Sequence, residues 1–246
     1  SIQWKRASVI HSITTKTMKK GILVVSLEMP AAQIIDRLVA NIGQVPLRAL
    51  AEGVRTEAHM RGVHNAAMAI SNSKLVVRDD LHDIASIVAT ARSMAKSEAG
   101  LGIVLVDYIQ LVRCDLGRDS TREREVAEVS RALRLLGLEL NCLVIGITQL
   151  NEQGKARESR AIQQDATSIL AIKQAEDDDP DVKTVVIPYQ RNGPCGVSTK
   201  LRFNGKTASF FNHHDNSTNH TSNNGGRSQQ WGNRTDPRKN RGQQED

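Results

Sequence analysis

Short runs of consecutive apolar residues alternate with segments of helical periodicity in this chain. The apolar runs lie at 22–25, 75–77, 103–106 and 143–147. Because they do not alternate with polar positions, they indicate strands that are covered on both faces. The segments with apolar residues three and four positions apart are 31–42, 55–71, 83–98 and 123–140. Strands and amphipathic helices in alternation predict an α/β fold with a mostly parallel sheet flanked by helices.

Beyond residue 165 the pattern predicts strands without helices between them. These strands lie at 168–173, 183–188, 199–203 and 207–211. Turn-forming residues separate them at 177–181 and at Asn204-Gly205, so the last two strands are expected to form a hairpin. The prediction is therefore a set of antiparallel strands at the C-terminal end of the fold.

The pattern changes again near residue 212. From there to Asp246 the sequence is rich in Asn, Gln, Ser and Gly, and Trp231 is the only large apolar residue. Such a segment cannot bury enough apolar surface to offset the entropy of ordering. We therefore expect one domain over residues 1–211 and a disordered polar tail over 212–246. A weak nucleic-acid-binding or partner-binding tail is the alternative.

Composition and charge narrow the class of protein. No apolar run approaches the roughly 18–20 residues of a membrane helix, so no membrane partner is expected. The three cysteines form no Cys-x-x-Cys pair, which argues against a zinc site or a disulfide framework and favours a reducing cytoplasm. The net charge of +6 permits a polyanionic partner without establishing one.

Polar side chains follow the ends of the predicted strands. Glu28 follows the first, Asp107 the third, Gln149 the fourth, and Gln190-Arg191 the strand at 183–188. Ligands of open parallel sheets bind beyond the carboxyl ends of the strands, so we expect these side chains to meet at one edge. A carboxylate after four aliphatic residues is the Walker B pattern, in which the carboxylate holds Mg²⁺ near a nucleoside triphosphate. A second carboxylate can polarise the attacking water, and an arginine can neutralise transition-state charge.

These residues also have purely structural interpretations. Asp107 could cap a turn at its strand end, and Glu28 could lie in the first turn of a helix, where the helix dipole favours acids. Asp79 and Asp80 follow the second strand. For these two we prefer capping of the helix that begins near residue 83.

Five blocks resemble, in order, conserved segments of the replicative DNA helicases of the DnaB type. The blocks are Val25-Ser26-Leu27-Glu28-Met29, Ile103 to Leu111, Thr148-Gln149-Leu150-Asn151, Arg157 to Ala166, and Gln190-Arg191-Asn192-Gly193-Pro194 with Phe203-Asn204-Gly205. The resemblance covers about residues 5–211. It implies a RecA-like fold, a hexameric ring, ATP with Mg²⁺ bound between subunits, and single-stranded DNA in the channel. Primase or a helicase loader are the further partners that it implies.

The resemblance also implies roles for individual residues. Glu28 would be the catalytic base, Asp107 the magnesium carboxylate and Gln149 the sensor of the γ-phosphate. Arg191 would be a finger that reaches the ATP of the neighbouring subunit, with Gln190 beside it at the nucleotide.

The sequence departs from the family pattern in three places. It contains no Gly-x-x-x-x-Gly-Lys-Ser/Thr phosphate loop; Lys5 lies nearest to the expected loop lysine, and we expect the chain to begin just after a lost loop. Tyr189 stands where the family usually has lysine. The segment from Gln149 to Arg157 is short for a second DNA loop. Apart from these three departures, we expect the family's N-terminal, primase-contacting domain to be absent.

Two function classes remain open at this point. The first is the core of an ATP-driven hexameric DNA helicase. The second is a RecA-like module that binds DNA or helicase subunits without turning over ATP. A phosphate loop encoded upstream of Ser1 would favour the first class, and a reading frame that begins at Ser1 would favour the second. Recombinase-type relatives of RecA are a third class, which shares the fold and the Walker B pattern but lacks the Ser-Leu-Glu-Met and Gln-Arg-Asn-Gly-Pro blocks of this sequence.

Two segments, 113–124 and 151–157, are candidates for contact with single-stranded DNA. Their small polar and basic residues suit phosphate contacts. Because neither segment contains an aromatic residue, we do not expect base stacking. The residues expected to contact phosphate are Arg118, Arg122, Lys155 and Arg157. For the other arginines of the helix at 123–140 we favour ion pairs with glutamates of the same helix.

Overall fold

The computed structural model describes residues 20–117, 120–149, 159–175 and 179–213. Lys5, Arg118, Lys155 and Arg157 lie outside these ranges. So does the predicted tail, apart from its first two residues. Every structural statement below concerns the described residues.

Four strands form a parallel sheet, as the sequence predicts. They are β1 (Gly21–Ser26), β2 (Leu75–Arg78), β3 (Leu101–Asp107) and β4 (Leu143–Ile147). Their order is β2-β1-β3-β4. The register places Ser26 beside Asp107 and Asp107 beside Ile147, so the carboxyl ends of β1, β3 and β4 lie level with one another.

The helices flank this sheet. They are α1 (Ala31–Gly43), α2 (Leu47–Glu52), α3 (Glu57–Asn72), α4 (Ile84–Ala95), α5 (Arg122–Leu140) and α6 (Ser159–Asp165), with a 3₁₀ turn at Ile109–Leu111. The four predicted helices are confirmed, with ends that differ by up to three residues. Helices α2 and α6 were not predicted, because six and seven residues are too few for helical periodicity to show. In the described part of the chain no helix has the length and apolarity needed to cross a lipid bilayer.

A second sheet follows, and it is antiparallel. Its strands are β5 (Ser168–Gln174), β6 (Val182–Gln190), β7 (Ser198–Asn204) and β8 (Ser209–Asn212), hydrogen-bonded in chain order. The predicted hairpin of the last two strands is confirmed, with Phe203 of β7 paired to Phe210 of β8. The α/β fold with antiparallel strands at its C-terminal end is therefore confirmed.

The core lies on both faces of β1 and β3. All residues of these two strands are buried, and successive side chains pack alternately against α4 and α5 on one face and against α1 on the other. The expectation that all four strands are covered on both faces is wrong for β2 and β4, which are partly exposed. Among the described strands these two flank the sheet, so each has a hydrogen-bonded neighbour on one side only.

Polar contacts join the end of α1 to the turn between β7 and β8. The Asn41 side chain is 3% exposed. Its Nδ2 donates to the carbonyl oxygen of Ala208 at 2.9 Å and to Oγ of Ser209 at 3.0 Å. The backbone N–H of Leu47 donates to the carbonyl oxygen of Lys206 at 2.8 Å. These bonds fasten the second sheet to a helix of the first.

Helices α1 and α3 approach each other closely at two glycines. A methyl group added at Gly62 would lie 2.5 Å from the carbonyl oxygen of Gly43 and 2.8 Å from Cγ2 of Val45. Only a residue without a β-carbon fits this contact without moving a helix backbone. The crossing therefore fixes the C-terminal end of α1 against α3.

Candidate nucleotide site

The carboxyl edge of the parallel sheet presents a buried carboxylate between two other strand ends. Asp107 is the last residue of β3 and Ser26 the last of β1, and each is 1% exposed. The backbone N–H of Leu27 donates to the carbonyl oxygen of Asp107 at 2.8 Å, so the chain leaving β1 stays attached to β3. Gln149, half-buried, lies two residues beyond β4. The expectation that these strand ends share one edge is confirmed.

Glu28 lies in the tight turn between β1 and α1. Met29 next to it is 3% exposed, and its carbonyl oxygen accepts a hydrogen bond from Oγ of Ser26 at 2.8 Å. The turn is therefore held by a hydrogen bond to the last residue of β1, while the Glu28 side chain is exposed. Helix α1 begins at Ala31 after Pro30, so Glu28 precedes the helix. The alternative interpretation, in which Glu28 lies in the first turn of a helix, is therefore wrong.

The acidic pair after β2 does not cap α4, so that preference was wrong. Asp79 Oδ2 instead accepts a hydrogen bond from the first amide of α1 at 2.8 Å. Asp80 accepts two hydrogen bonds of 2.7 Å from Arg78, which lower the pKa of its carboxyl group. The cap of α4 is Asp83, whose carboxylate accepts bonds from the hydroxyl and the backbone N–H of Ser86; these bonds lower its pKa.

A 3₁₀ turn follows Asp107 directly. The N–H of Leu111 donates to the carbonyl oxygen of Tyr108 at 2.9 Å, and that of Val112 to Ile109 at 3.1 Å. The Ile109 side chain is buried against Gly146 of β4, where a β-carbon would collide with it. This packing anchors the turn, and with it the backbone beyond Asp107, to the neighbouring strand.

The donor set at this edge suits magnesium. Among the described residues no three His, Cys, Asp or Glu side chains are grouped so as to hold a metal ion. Mg²⁺ typically takes one or two protein carboxylates and completes its octahedral shell with water and phosphate oxygens. The carboxylate of Asp107, at the end of a rigid buried strand, fits that role.

Gln190 and Arg191 follow a strand of the second sheet. The two sheets share no strand, so the expectation that these residues meet Asp107 at one common strand edge was wrong. Arg191 is exposed. Its backbone N–H donates to the carbonyl oxygen of Thr167 at 2.9 Å, and Nη2 of its side chain donates to the carbonyl oxygen of Gln164 at 3.0 Å. Within the described residues, the hydrogen bonds of Arg191 thus go to backbone carbonyls. The exposed turn beyond it carries Cys195.

Arg122 makes contacts that the sequence did not reveal. Its Nη2 donates to the carbonyl oxygens of Gln110 at 2.5 Å and Val112 at 3.0 Å, and its Nη1 is paired with Glu125. The guanidinium therefore bridges the start of α5 and the turn after Asp107. Contact between Arg122 and DNA stays a prediction.

The predicted ion pairs within α5 are largely wrong. Arg134 pairs with Asp165 of α6 at 3.6 Å, and Glu139 pairs with Arg92 of α4 at 2.8 Å. The one pair found inside the helix, among the described residues, involves Arg122, the arginine that we had excluded. The charged face of α5 thus joins neighbouring helices, because these lie within reach of its long side chains.

Comparison with known proteins agrees with the resemblance. A family model described as the DnaB-like helicase C-terminal domain matches residues 5–212. The chain is 32% identical over 213 residues to the replicative DNA helicase DnaB of Haemophilus influenzae, covering 79% of this chain and 45% of that protein. It is 29% identical over 206 residues to the replicative DNA helicase DnaC of Bacillus subtilis, covering 77% of this chain and 45% of that protein. The chain spans about half the length of the curated relatives it matches.

Solved structures show the same fold. A DnaB-like replicative helicase studied with its primase interactions superposes with a TM-score of 0.71 at 24% identity, covering 79% of this chain and 51% of that one. The RadB recombinase superposes with a TM-score of 0.50 at 15% sequence identity, covering 85% of this chain and 87% of that one. A KaiC-like protein from Pyrococcus horikoshii superposes with a TM-score of 0.53 at 15% sequence identity, covering 78% of this chain and 75% of that one. These likenesses establish a RecA-like ATPase fold, and with the family match over most of its length the chain belongs to the DnaB-like helicases, of which it contains the C-terminal domain.

Proposed function

We propose that this chain is the ATP-hydrolysing domain of a ring-shaped replicative DNA helicase, with ATP and Mg²⁺ at the carboxyl edge of the parallel sheet. The buried Asp107 at the end of β3 carries the proposal. It lies beside the end of β1, which leads to the exposed Glu28, and beside the end of β4, which leads to Gln149. We assign the roles of ion-binding carboxylate, base and sensor amide to these residues of three adjacent strand ends.

The three residues divide the chemistry between them. Asp107 would hold Mg²⁺, and the bound ion would supply charge neutralisation for the phosphate oxygens. Glu28 polarises the attacking water from a turn whose backbone is fixed to β1 and β3. Gln149 donates a hydrogen bond toward the γ-phosphate. Positioning of this kind supplies most of the catalysis in phosphoryl transfer.

Arg191 completes the site of a neighbouring subunit, with Gln190 beside it at the nucleotide. Its exposure supports a role toward a partner. A guanidinium has five N–H donors, so the bond to Gln164 leaves donors for a phosphate. A site shared in this way requires a closed ring, which we propose to be a hexamer.

We further propose that single-stranded DNA is the polymer on which the ring moves, bound by Arg118, Lys155 and Arg157. These residues lie outside the described part of the chain. Primase is a partner that the solved DnaB-like helicase supports, and a helicase loader is a second candidate. The domain over residues 1–211, the polar tail over 212–246 and a cytoplasmic location complete the proposal.

A non-hydrolysing module is the second candidate, because the sequence contains no Gly-x-x-x-x-Gly-Lys-Ser/Thr loop. Without such a loop no row of backbone amides wraps the phosphates, and Lys5 is only a partial substitute. We expect this polypeptide to hydrolyse ATP far below the ordinary range of about 1–100 s⁻¹. A DNA-stimulated turnover within that range, measured on the purified chain, would exclude the second candidate.

The decisive experiment uses a polypeptide extended upstream with the phosphate loop. Glu28→Gln and Arg191→Ala should each be inactive, while the exposed control variants Glu98→Gln and Arg55→Ala should keep their activity. Mixing the two inactive variants should partly restore ATP hydrolysis, because some interfaces then contain both an intact base and an intact finger. No recovery despite proven subunit exchange would refute the shared site, and full activity of Arg191→Ala alone would refute the finger.

A further inference from the structure

A guanidinium bridges the two ends of the segment that is predicted to contact DNA. We call residues 110–112 and 120–125 the neck of this segment. On one side of the neck, the carbonyl oxygens of Gln110 and Val112 accept hydrogen bonds from Nη2 of Arg122. Arg122 itself belongs to the other side, where its Nη1 is paired with Glu125. One side chain thus holds both sides of the neck together.

The position of Arg122 is unfavourable unless these contacts stabilise it. It is the first residue of α5, after the N-cap Thr121, and the amino end of a helix dipole disfavours a cation. Three acceptors offset that cost. Glu125 is itself fixed by a 3.1 Å bond from Oγ of Ser120, so the clamp is part of a network and not a lone surface pair.

The clamp ends on the turn that follows Asp107. The carbonyl of Gln110 belongs to the 3₁₀ turn, and Val112 closes it through its bond to Ile109. Only Tyr108 and Ile109 lie between Asp107 and the first clamped residue. A movement of the neck therefore reaches the backbone of the proposed magnesium carboxylate through one short, hydrogen-bonded turn.

We propose that Arg122 is a positioning residue that couples the DNA-binding segment to the nucleotide site and does not itself contact DNA. The coupling rests on the function proposed above. It replaces our expectation from the sequence that Arg122 binds phosphate. Three of the five N–H donors of this guanidinium are engaged by two carbonyl oxygens and a carboxylate of the protein, and these bonds join α5 to the turn.

The first test needs no ligand. In the full chain, amide hydrogen exchange at Leu111 and Val112 should be about tenfold faster in Arg122→Ala, since one charged hydrogen bond contributes roughly that factor. Arg122→Lys should restore part of the protection. Arg124→Ala is the matched control, because Arg124 is an exposed arginine on the same helical turn, and it should leave both amides unchanged. Unchanged exchange in Arg122→Ala would overturn the clamp; should that variant fail to fold, Arg122→Gln replaces it.

The second test adds an oligothymidylate. In the wild type and in Arg124→Ala, bound DNA should change exchange at Leu111 and Val112, and in Arg122→Ala it should not. The slope of log K against log salt should be the same in all three proteins, whereas loss of a phosphate contact would flatten it by about 0.7. A flattened slope in Arg122→Ala, or an equal response to DNA in that variant, would overturn the proposal. If the wild type binds no DNA, the proposed function fails, and the ligand-free exchange still decides whether Arg122 holds the neck.

Discussion

Replacing Asn41 by alanine should weaken the attachment between the two sheets. The amide of Asn41 is buried at the end of α1, and it donates to the carbonyl oxygen of Ala208 and the hydroxyl of Ser209. Alanine removes both donors. The Ala208 residue is itself 2% exposed, so water cannot easily take over the bond to its carbonyl.

The magnitude follows from these contacts. Two intramolecular hydrogen bonds contribute about 1–3 kcal/mol together. The Oδ1 atom of Asn41 is buried without a hydrogen-bond partner in the described structure, and its removal returns part of that cost. The cavity left by the amide adds to the loss. We therefore expect a decrease of about 2 kcal/mol in the free energy of unfolding, which corresponds to about 4–8 °C in Tm for a domain of this size.

Thermal and urea unfolding of the full chain measure this effect. The control is Asn65→Ala, on the exposed side of α3, which should stay within about 0.5 kcal/mol of the wild type. A loss below about 0.5 kcal/mol in Asn41→Ala would refute the reasoning, because it would mean that the second sheet is held in place without these bonds.

Three further predictions concern single contacts. Asp83→Ala should cost about 1 kcal/mol through loss of the α4 cap. Hydrogen bonds lower the pKa of Asp83 in the folded protein. This stabilisation is therefore complete above the unfolded pKa of about 4 and is lost as the pH falls through the folded pKa. A stability difference between Asp83→Ala and the wild type that persists below the folded pKa would contradict this prediction. Gly62→Ala should lower Tm although alanine favours helices by about 1 kcal/mol, since overpacking against Gly43 costs about 1–3 kcal/mol; a higher Tm would contradict the close contact. Glu139→Gln should change Tm little, and less at high salt, because Glu139 and Arg92 are about half exposed; strong destabilisation would show that the pair is buried in solution.

The elements with strong patterns were predictable from the sequence, and those held by long-range contacts were not. Strands β1 and β3 consist of continuous aliphatic runs, and the helices that cover them are long enough to show their period. The exposure of β2 and β4 depends on strand order, which the local pattern does not contain. The Asn41 contact is equally hidden, since a polar residue inside a helical segment is expected at the surface.

The candidate site divides in the same way. Asp107, Glu28 and Gln149 could be placed at one edge, because parallel strands bring their carboxyl ends together. Arg191 could not be placed by that argument, because its strand belongs to another sheet. The clamp by Arg122 gave no signal either, since two of its acceptors are backbone carbonyls and any residue type supplies those.

The exposed turn after Arg191 makes the unmodified protein suitable for site-specific labelling. Cys195 on this turn is exposed, whereas Cys114 and Cys142 are partly covered and burial raises the pKa of both thiols. Thiolates are the species that react with maleimides, so a dye should attach first at Cys195, four residues from the proposed finger. Its fluorescence would then report the arrival of a neighbouring subunit without any engineered cysteine.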